Sequence, residues 1–458
     1  MGRNCMLVSE PRVGRASSRT LWHGATGLRL LSCRGVLAGM ARIPLAAVLW
    51  AGLLGLSCGG GSSNNSGPPP PIANTQGIVV NSGPAGGTVN GAFTTVAICS
   101  PGAQTCQSID GILVDTGSYG LRILSSAISS SLTLPQQTNS GGQAVATCAE
   151  FADSLTWGPV KSADVQLAQL KANSVPIQVI GDPNYPDTTV PLNCSSSGLP
   201  PNDTLSTLGA NGILGVGVFT DDCGPACATT GSNPGVYYAC STPSSCVVTA
   251  EPEASQLQNP VWLLSSDNNG LSITLPSVPD VGSLTVSGTL TFGIGTQSNN
   301  GLAGATVFPV DPSSGNFITA YKSTQYPNSF IDSGSGAIFF LDTVTTGIPE
   351  CSGTGPNAGL YCPSGTVNQT AINFGANGSP SNVVSFSIAN ADSILCNTCT
   401  SSALSDLGGA GTTLQCSTNS TNLQCFVDWG LPFFYGRTVF VAIDGQATPA
   451  GTGPYWAY

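Results

Sequence analysis

The sequence predicts a β-rich fold built in two halves, and three observations carry that reading. First, 58 glycines and 33 prolines make up about a fifth of the 458 residues, where roughly 12% is usual. Second, only 8% of residues are charged while 41% are hydrophobic. A coiled coil or helical bundle needs far more Glu, Lys and Arg, and simple disorder pairs low hydrophobicity with high charge. Third, an apolar strand running into Asp-(Ser/Thr)-Gly-Ser occurs twice, once in each half of the chain. The length accommodates one large domain or two medium ones.

The chain begins with a basic stretch. Arg3, Arg12, Arg15, Arg19, Arg29, Arg34 and Arg42 precede residue 43, and residues 1–39 read as an extra or mis-assigned leader with Met40 as a candidate start. Residues 40–57 read as a signal peptide: Arg42, an apolar run over 43–56, then Ser57 before Cys58. That run is too short to span a bilayer and suits the apolar core of an export signal. Small residues before a cysteine and a flexible tail after it resemble a bacterial lipoprotein signal, which would place a lipid on Cys58, although Gly55 stands where such signals usually carry Leu. Plain secretion and an ordinary N-terminal helix are the alternatives. Residues 58–76 form a Gly/Ser-rich then Pro-rich tether, flexible first and stiffer later.

From Gly77 onward short β-type runs alternate with turn clusters, at residues 94–99, 111–114, 164–170, 175–180, 261–264, 271–275 and 439–443. Asn269-Gly270, between two of these runs, signals a hairpin. Asp267-Asn268-Asn269-Gly270 faintly resembles a calcium loop but lacks the downstream Glu, so turn chemistry is the better reading. Short helices are expected at 121–131 and 339–346. The expected lobes are 77–265, with a Cys-rich insertion at 221–248, and 266–458.

Cysteine usage points to export. Of 17 cysteines, Cys5 and Cys33 fall in the leader and Cys58 at the anchor, which leaves an even set of fourteen. Close neighbours such as Cys99 and Cys106, Cys351 and Cys362, Cys396 and Cys399, and Cys416 and Cys425 suit local disulfides, and Cys223, Cys227, Cys240 and Cys246 cluster in the insertion. A zinc reading of Cys396 and Cys399 lacks a second such pair and any histidine. No metal and no cofactor are expected.

Charge and histidine content exclude whole classes of function. Beyond Cys58 the basic residues are Arg122, Lys161, Lys171, Lys322 and Arg437, against every acidic residue but Glu10. This part is therefore more acidic than the net −11 of the whole chain, and such a surface repels nucleic-acid backbones. The single histidine is His23, in the leader. Ser-His-Asp and Cys-His catalysis and His-ligated metals are thereby excluded from the body.

The repeated motif offers chemistry that needs no histidine. Residues 112–118 read Ile-Leu-Val-Asp-Thr-Gly-Ser and residues 329–335 read Ser-Phe-Ile-Asp-Ser-Gly-Ser. In each, an apolar strand delivers an Asp to a buried spot, the Gly allows a tight turn, and the flanking hydroxyls can fix the carboxylate. Two such loops face to face would bring Asp115 and Asp332 together. Two adjacent carboxylates cannot both ionise cheaply, so they share a proton. The ionised one can then deprotonate a water while the protonated one polarises a carbonyl. The alternative is a pair of ordinary Asx turns.

These residues resemble the pepsin-like (A1-type) aspartic proteases, over most of 77–458, and within them an uncharacterised bacterial branch of exported or lipoprotein members. Beyond the two Asp motifs, Asn211-Gly212-Ile213-Leu214-Gly215-Val216-Gly217 resembles the segment that crosses behind the first Asp loop. Gly430-Leu431-Pro432-Phe433, followed by Thr438-Val439-Phe440, resembles its counterpart, and Leu290-Thr291-Phe292-Gly293 the strand that opens the second lobe. The resemblance implies a mostly β, bilobal, double-ψ β-barrel architecture with a cleft between the lobes. It also implies a catalytic pair, Asp115 and Asp332, supported by Thr116, Gly117, Ser118, Ser333, Gly334 and Ser335. The flap would lie at 147–160, where no Tyr occurs; Phe151 and Trp157 are its candidates, or else ordinary sheet aromatics. Other departures are Arg122 where an aromatic is usual, Asp428-Trp429 where two aliphatic residues are usual, and no basic prosegment between Cys58 and Gly77.

The leading expectation is an exported, monomeric aspartic endopeptidase acting on peptides or proteins, held to a membrane through Cys58 or secreted. The alternatives are a non-catalytic peptide- or protein-binding lipoprotein of the same fold and a structural β-rich adhesin; the adhesin would show many short repeats, and one is present.

Overall fold

The computed structural model describes residues 73–229, 233–353, 355–396 and 399–458. The leader, the signal peptide, nearly all of the tether and Cys58 lie outside the described residues.

The described chain is mostly β, with only single turns of helix between strands. Its first half carries β1 (Thr75–Asn81), β2 (Gly91–Cys99), β3 (Cys106–Asp115), β4 (Tyr119–Leu124), β5 (Ala144–Glu150), β6 (Leu155–Leu167), β7 (Leu170–Ile180), β8 (Gly212–Val216), β9 (Tyr237–Thr242) and β10 (Ser245–Val248). The second half carries β11 (Gly270–Leu275), β12 (Val286–Phe292), β13 (Val307–Pro309), β14 (Phe317–Tyr321), β15 (Thr324–Ile331), β16 (Ile338–Phe340), β17 (Val367–Phe374) and β18 (Ser381–Ile388). It ends with β19 (Gly408–Gly409), β20 (Val427–Trp429), β21 (Arg437–Ala442), β22 (Ala447–Thr448), β23 (Gly451–Thr452) and β24 (Tyr455–Ala457).

The two halves repeat one topological unit. In the first, β3 runs parallel to β8, β8 antiparallel to β4, and β4 parallel to β7. In the second, β15 runs parallel to β20, β20 antiparallel to β16, and β16 parallel to β19. In both, the strand that ends at the Asp motif and the strand that follows it are not neighbours, because a later strand passes between them. Such a strand is covered on both faces and reads as a continuous apolar run: every residue of β8, Gly212-Ile213-Leu214-Gly215-Val216, is buried. Strands with one wet face alternate instead, as β14 does in Phe317-Ile318-Thr319-Ala320-Tyr321.

In the first half β6 pairs with both β7 and β2, which closes a barrel through β2, β3, β8, β4, β7 and β6. The antiparallel pairing of β1 with β12 joins the halves in one sheet. A continuous apolar core runs through both, from Val114 and Leu214 to Ile331, Val427 and Trp429.

Several local expectations are corrected. Residues 261–264 form turns, not a strand, and Asn269-Gly270 is therefore not a hairpin; Gly270 begins β11. Asn269 instead ties that strand to Ile294 and Ala447 through its side chain. The run 164–170 spans the turn between β6 and β7. Residues 121–124 continue β4 before a single 3-10 turn at Ser125–Ala127, because Leu121 and Ile123 point into the barrel. The expected helix at 339–346 is one turn, Thr343–Thr346, after the end of β16.

Seven disulfides join all fourteen body cysteines. Six are local; Cys148–Cys194 closes a separation of 46 residues. That density points to an oxidising environment. Cys396 and Cys399 form a disulfide and so are not zinc ligands. Asp267 accepts from Thr296 and from Gln297 Nε2 at 2.7 Å, which makes it a turn anchor. Among the described residues no helix is long and apolar enough to cross a membrane.

Candidate active site

The duplicated unit brings the two Asp loops together. Asp115 is the last residue of β3 and Asp332 follows β15 directly. Both are buried, at 2% and 0% exposure. Each is held in the same way by its own loop. The Gly117 N–H donates to Asp115 Oδ1 at 2.8 Å and the Gly334 N–H to Asp332 Oδ1 at 2.7 Å. The Ser118 hydroxyl donates to Asp115 Oδ2, and the Ser335 hydroxyl to Asp332 Oδ2 at 3.0 Å.

The loops are also locked to one another. The Thr116 N–H donates to Ser333 Oγ at 3.1 Å, and the Ser333 N–H donates to Thr116 Oγ1 at 2.9 Å. Each hydroxyl then donates across the junction to a strand carbonyl, Thr116 to Ile331 at 3.2 Å and Ser333 to Val114 at 2.7 Å. Four buried hydrogen bonds thus fix the separation of the two Asp residues, and leaving any of these groups unpaired would cost about 1–3 kcal/mol. The loops approach so closely that neither tolerates a side chain at its glycine. A Cβ on Gly117 would lie 2.6 Å from Asp332 Cγ, and one on Gly334 would lie 2.6 Å from Asp115 Oδ1.

This proximity sets the proton inventory. The Asp332 carboxyl is pushed well above its ordinary range, by burial first, then by the charges of Asp115 and Asp428 and by its hydrogen bond with Asp115; the Gly334 N–H opposes the shift. Asp332 therefore holds a proton at a pH where an exposed Asp has lost it. Asp428 is fully buried on β20, at the register position beside Phe330. In the first half the equivalent position, beside Leu113, is Ile213.

A cavity of about 640 Å³ adjoins the first Asp loop, with Ser118, Tyr119, Arg122, Glu150, Phe151 and Phe219 among its lining. The hairpin of β5 and β6 contributes Cys148 through Phe151 to one wall. Phe151 faces this cavity. Trp157 does not: its indole packs edge-on to Tyr238, 5.3 Å between ring centroids, in a cluster with Tyr185 and the Cys148–Cys194 disulfide. The expectation of a flap role for Trp157 is thus corrected, because the strand alternation turns it inward. Arg122 is buried in an ion pair with Asp222 at 3.2 Å, and the Tyr237 hydroxyl donates to the same carboxylate at 2.5 Å. Asp221, on the cavity wall, is pushed up to about 6 by burial, with the Thr220 hydroxyl opposing and the charges of Asp222 and Glu253 adding to the rise.

Sequence reasoning passed over Tyr119, Phe219, Asp221 and Asp222. For Tyr119 a signal existed, since it directly follows the Asp-Thr-Gly-Ser motif. The other three come from the loop after β8, and only the fold brings that loop to the cavity. The insertion at 221–248 extends the same hairpin sheet, with β9 paired to β5. Among the described residues, Cys351, Cys362 and Asp392 are the one cluster with metal-ligand spacing, and its two cysteines are joined in a disulfide.

Residues 70–458 match the family described as "Protein of unknown function (DUF3443)", and the chain belongs to that family. No curated protein matches the sequence. Among solved structures, the aspartic proteinase from Irpex lacteus is similar over 84% of this chain and 96% of its own, with a TM-score of 0.47 and 14% identity.

Proposed function

We propose that this member of a family of unknown function is an aspartic-type endopeptidase, with Asp115 and Asp332 as its catalytic pair. The observation that carries the reading is the reciprocal lock of the two Asp loops. Two buried carboxyls, each held by matching N–H and hydroxyl donors, stand on loops locked to one another, and the first of those loops adjoins a cavity large enough for peptide side chains. A fold that needed only stability would not place two acids together where desolvation penalises both.

The chemistry follows from the proton inventory. Asp115, ionised, takes a proton from a water held between the two acids. The water oxygen attacks the carbonyl carbon, and Asp332 gives its proton to the carbonyl oxygen, so a neutral gem-diol forms. A proton then passes from Asp115 to the amide nitrogen. The C–N bond breaks, one diol hydroxyl returns its proton to Asp332, and acid and amine leave. Thr116 and Ser333 hold the geometry, and Ser118 and Ser335 fix the planes of the carboxyls.

The seven disulfides suit an exported enzyme. Its anchor would be the lipid on Cys58, with the body held at a membrane surface as a monomer and its partners being peptides or proteins rather than nucleic acid. The test is incubation of the body with an unbiased peptide library from mildly acid to neutral pH, beside Asp115→Asn and Asp332→Asn. Cleavage by wild type alone is expected, with a bell-shaped pH dependence. A folded wild type that cleaves nothing would leave a peptide-binding protein; cleavage by the Asn variants would remove the dyad assignment.

A further inference from the structure

Tyr119 is the first residue of β4, directly after the Asp115 loop. Its ring is held from two sides. Gly217 clears space for it, since a Cβ there would lie 2.5 Å from Tyr119 Cε1 and 3.0 Å from Cζ. Phe219 packs against it with ring centroids 5.6 Å apart. Gly215 leaves room for its backbone, where a Cβ would lie 2.6 Å from the Tyr119 nitrogen. The stretch Gly215-Val216-Gly217-Val218-Phe219 is therefore shaped as a seat for this residue.

The hydroxyl stands apart from the seated ring. It makes no hydrogen bond among the described residues, and the residue is half-buried on the cavity wall beside Ser118. Tyr119 directly follows Ser118, whose hydroxyl holds Asp115, and both residues line the cavity. The other hydroxyls around the dyad are committed: Ser118 to Asp115, Ser335 to Asp332, Thr116 to Ile331 and Ser333 to Val114. A fixed donor without a partner, next to two acids and open to a cavity, is arranged to meet something that enters.

We propose that Tyr119 is a catalytic residue of this site, its phenol donating a hydrogen bond to the scissile carbonyl oxygen as that oxygen gains negative charge. The inference rests on the endopeptidase reading. It assigns no proton transfer to Tyr119. Burial first, and then the surrounding carboxylates, hold the phenol protonated well above its ordinary range, so it can donate but cannot act as base. The water's proton still goes to Asp115 and the carbonyl oxygen's proton still comes from Asp332. A preorganised donor of this kind stabilises the transition state more than the ground state, so it acts on kcat more than on KM.

The alternative role for Tyr119 is a cavity wall that only packs against Phe219. Tyr119→Phe separates the two, since it keeps the ring and removes only the hydroxyl. On a peptide that wild type cleaves, the variant is expected to lose about 100-fold in kcat, with KM within about threefold. The variant should also bind a statine-containing peptide about tenfold more weakly, while a matched peptide without the statine hydroxyl binds as it does to wild type. Unchanged kcat, or equal weakening of both peptides, would overturn the role of Tyr119 and leave the dyad standing. A wild type that cleaves nothing would overturn the endopeptidase reading itself, and the catalytic role of Tyr119 with it.

Discussion

Replacing Asp332 with Asn should make the protein more stable, and increasingly so as the pH rises. In an unfolded chain an Asp releases its proton near pH 3.9. In the folded protein burial, Asp115 and Asp428 hold that proton to a much higher pH. Between those two limits the native state binds one proton more than the unfolded state, so stability falls as pH rises, by up to about 1.4 kcal/mol per pH unit. The contribution is fully present below about pH 3.9 and is lost as pH rises through the folded value. An Asn side chain at this position can still accept from the Gly334 N–H with its oxygen and donate to the Ser335 oxygen with its amide, yet it carries no proton to lose. The gap between variant and wild type should therefore widen as pH rises above about 4, approaching about 1.4 kcal/mol per pH unit until the folded carboxyl itself titrates. Asp164, Asp182, Asp311 and Asp342 are all shifted the other way, each by donors that oppose the cost of burial. They lower stability on the acid side equally in both proteins and cancel in the difference. The assay is urea unfolding at several pH values with the disulfides oxidised. A gap that stays constant with pH would refute the claim that Asp332 keeps a proton in the fold.

Gly117→Ala and Gly334→Ala should each abolish peptide cleavage, since a Cβ at either site would lie 2.6 Å from the opposite carboxyl; circular dichroism of the purified variants would show whether the fold survives, and normal turnover by either would mean that the loops do not approach as described. Removing the Cys148–Cys194 disulfide as a double Ala variant should cost about 4 kcal/mol from loop closure alone at a separation of 46 residues. Removing Cys99–Cys106, at a separation of 7, should cost about half as much, and equal unfolding midpoints in urea would contradict the entropic argument.

How much of this was legible beforehand divides along physical lines. The fold class was legible because Gly, Pro and low charge report turn density and backbone exposure, which are averages over the chain. The location of Asp115 and Asp332 was legible because the same local grammar occurs twice. What escaped was set by long-range registry. Leu121 and Ile123 looked helical in isolation, yet β8 beside them makes a strand of the same residues. Asn269-Gly270 carried a hairpin signal, but Asn269 commits its amide to Ile294 and Ala447. Trp157 turns away from the cavity, because alternation along β6 depends on a register that composition does not reveal. The partner of Cys148 lay 46 residues away, where no local spacing could identify it.

The departures from the expected motif explain more than the agreements do. A symmetrical pair of loops would leave the shared proton no preferred owner, yet the two halves are not symmetrical. Beside Leu113 the crossing strand of the first half places Ile213; beside Phe330 that of the second half places Asp428. An apolar side chain there only desolvates, whereas a carboxyl also adds its charge to that of Asp115 in opposing ionisation of Asp332. Asp332 thereby keeps its proton to a higher pH than an ordinary Asp. On the other side, Arg122 replaces an apolar wall but is neutralised by Asp222, so it brings no net charge to the cavity. With the polar groups of the lock committed to one another, the free donor at the dyad among the described residues is Tyr119, at the position where Gly217, just past the end of β8, admits a ring.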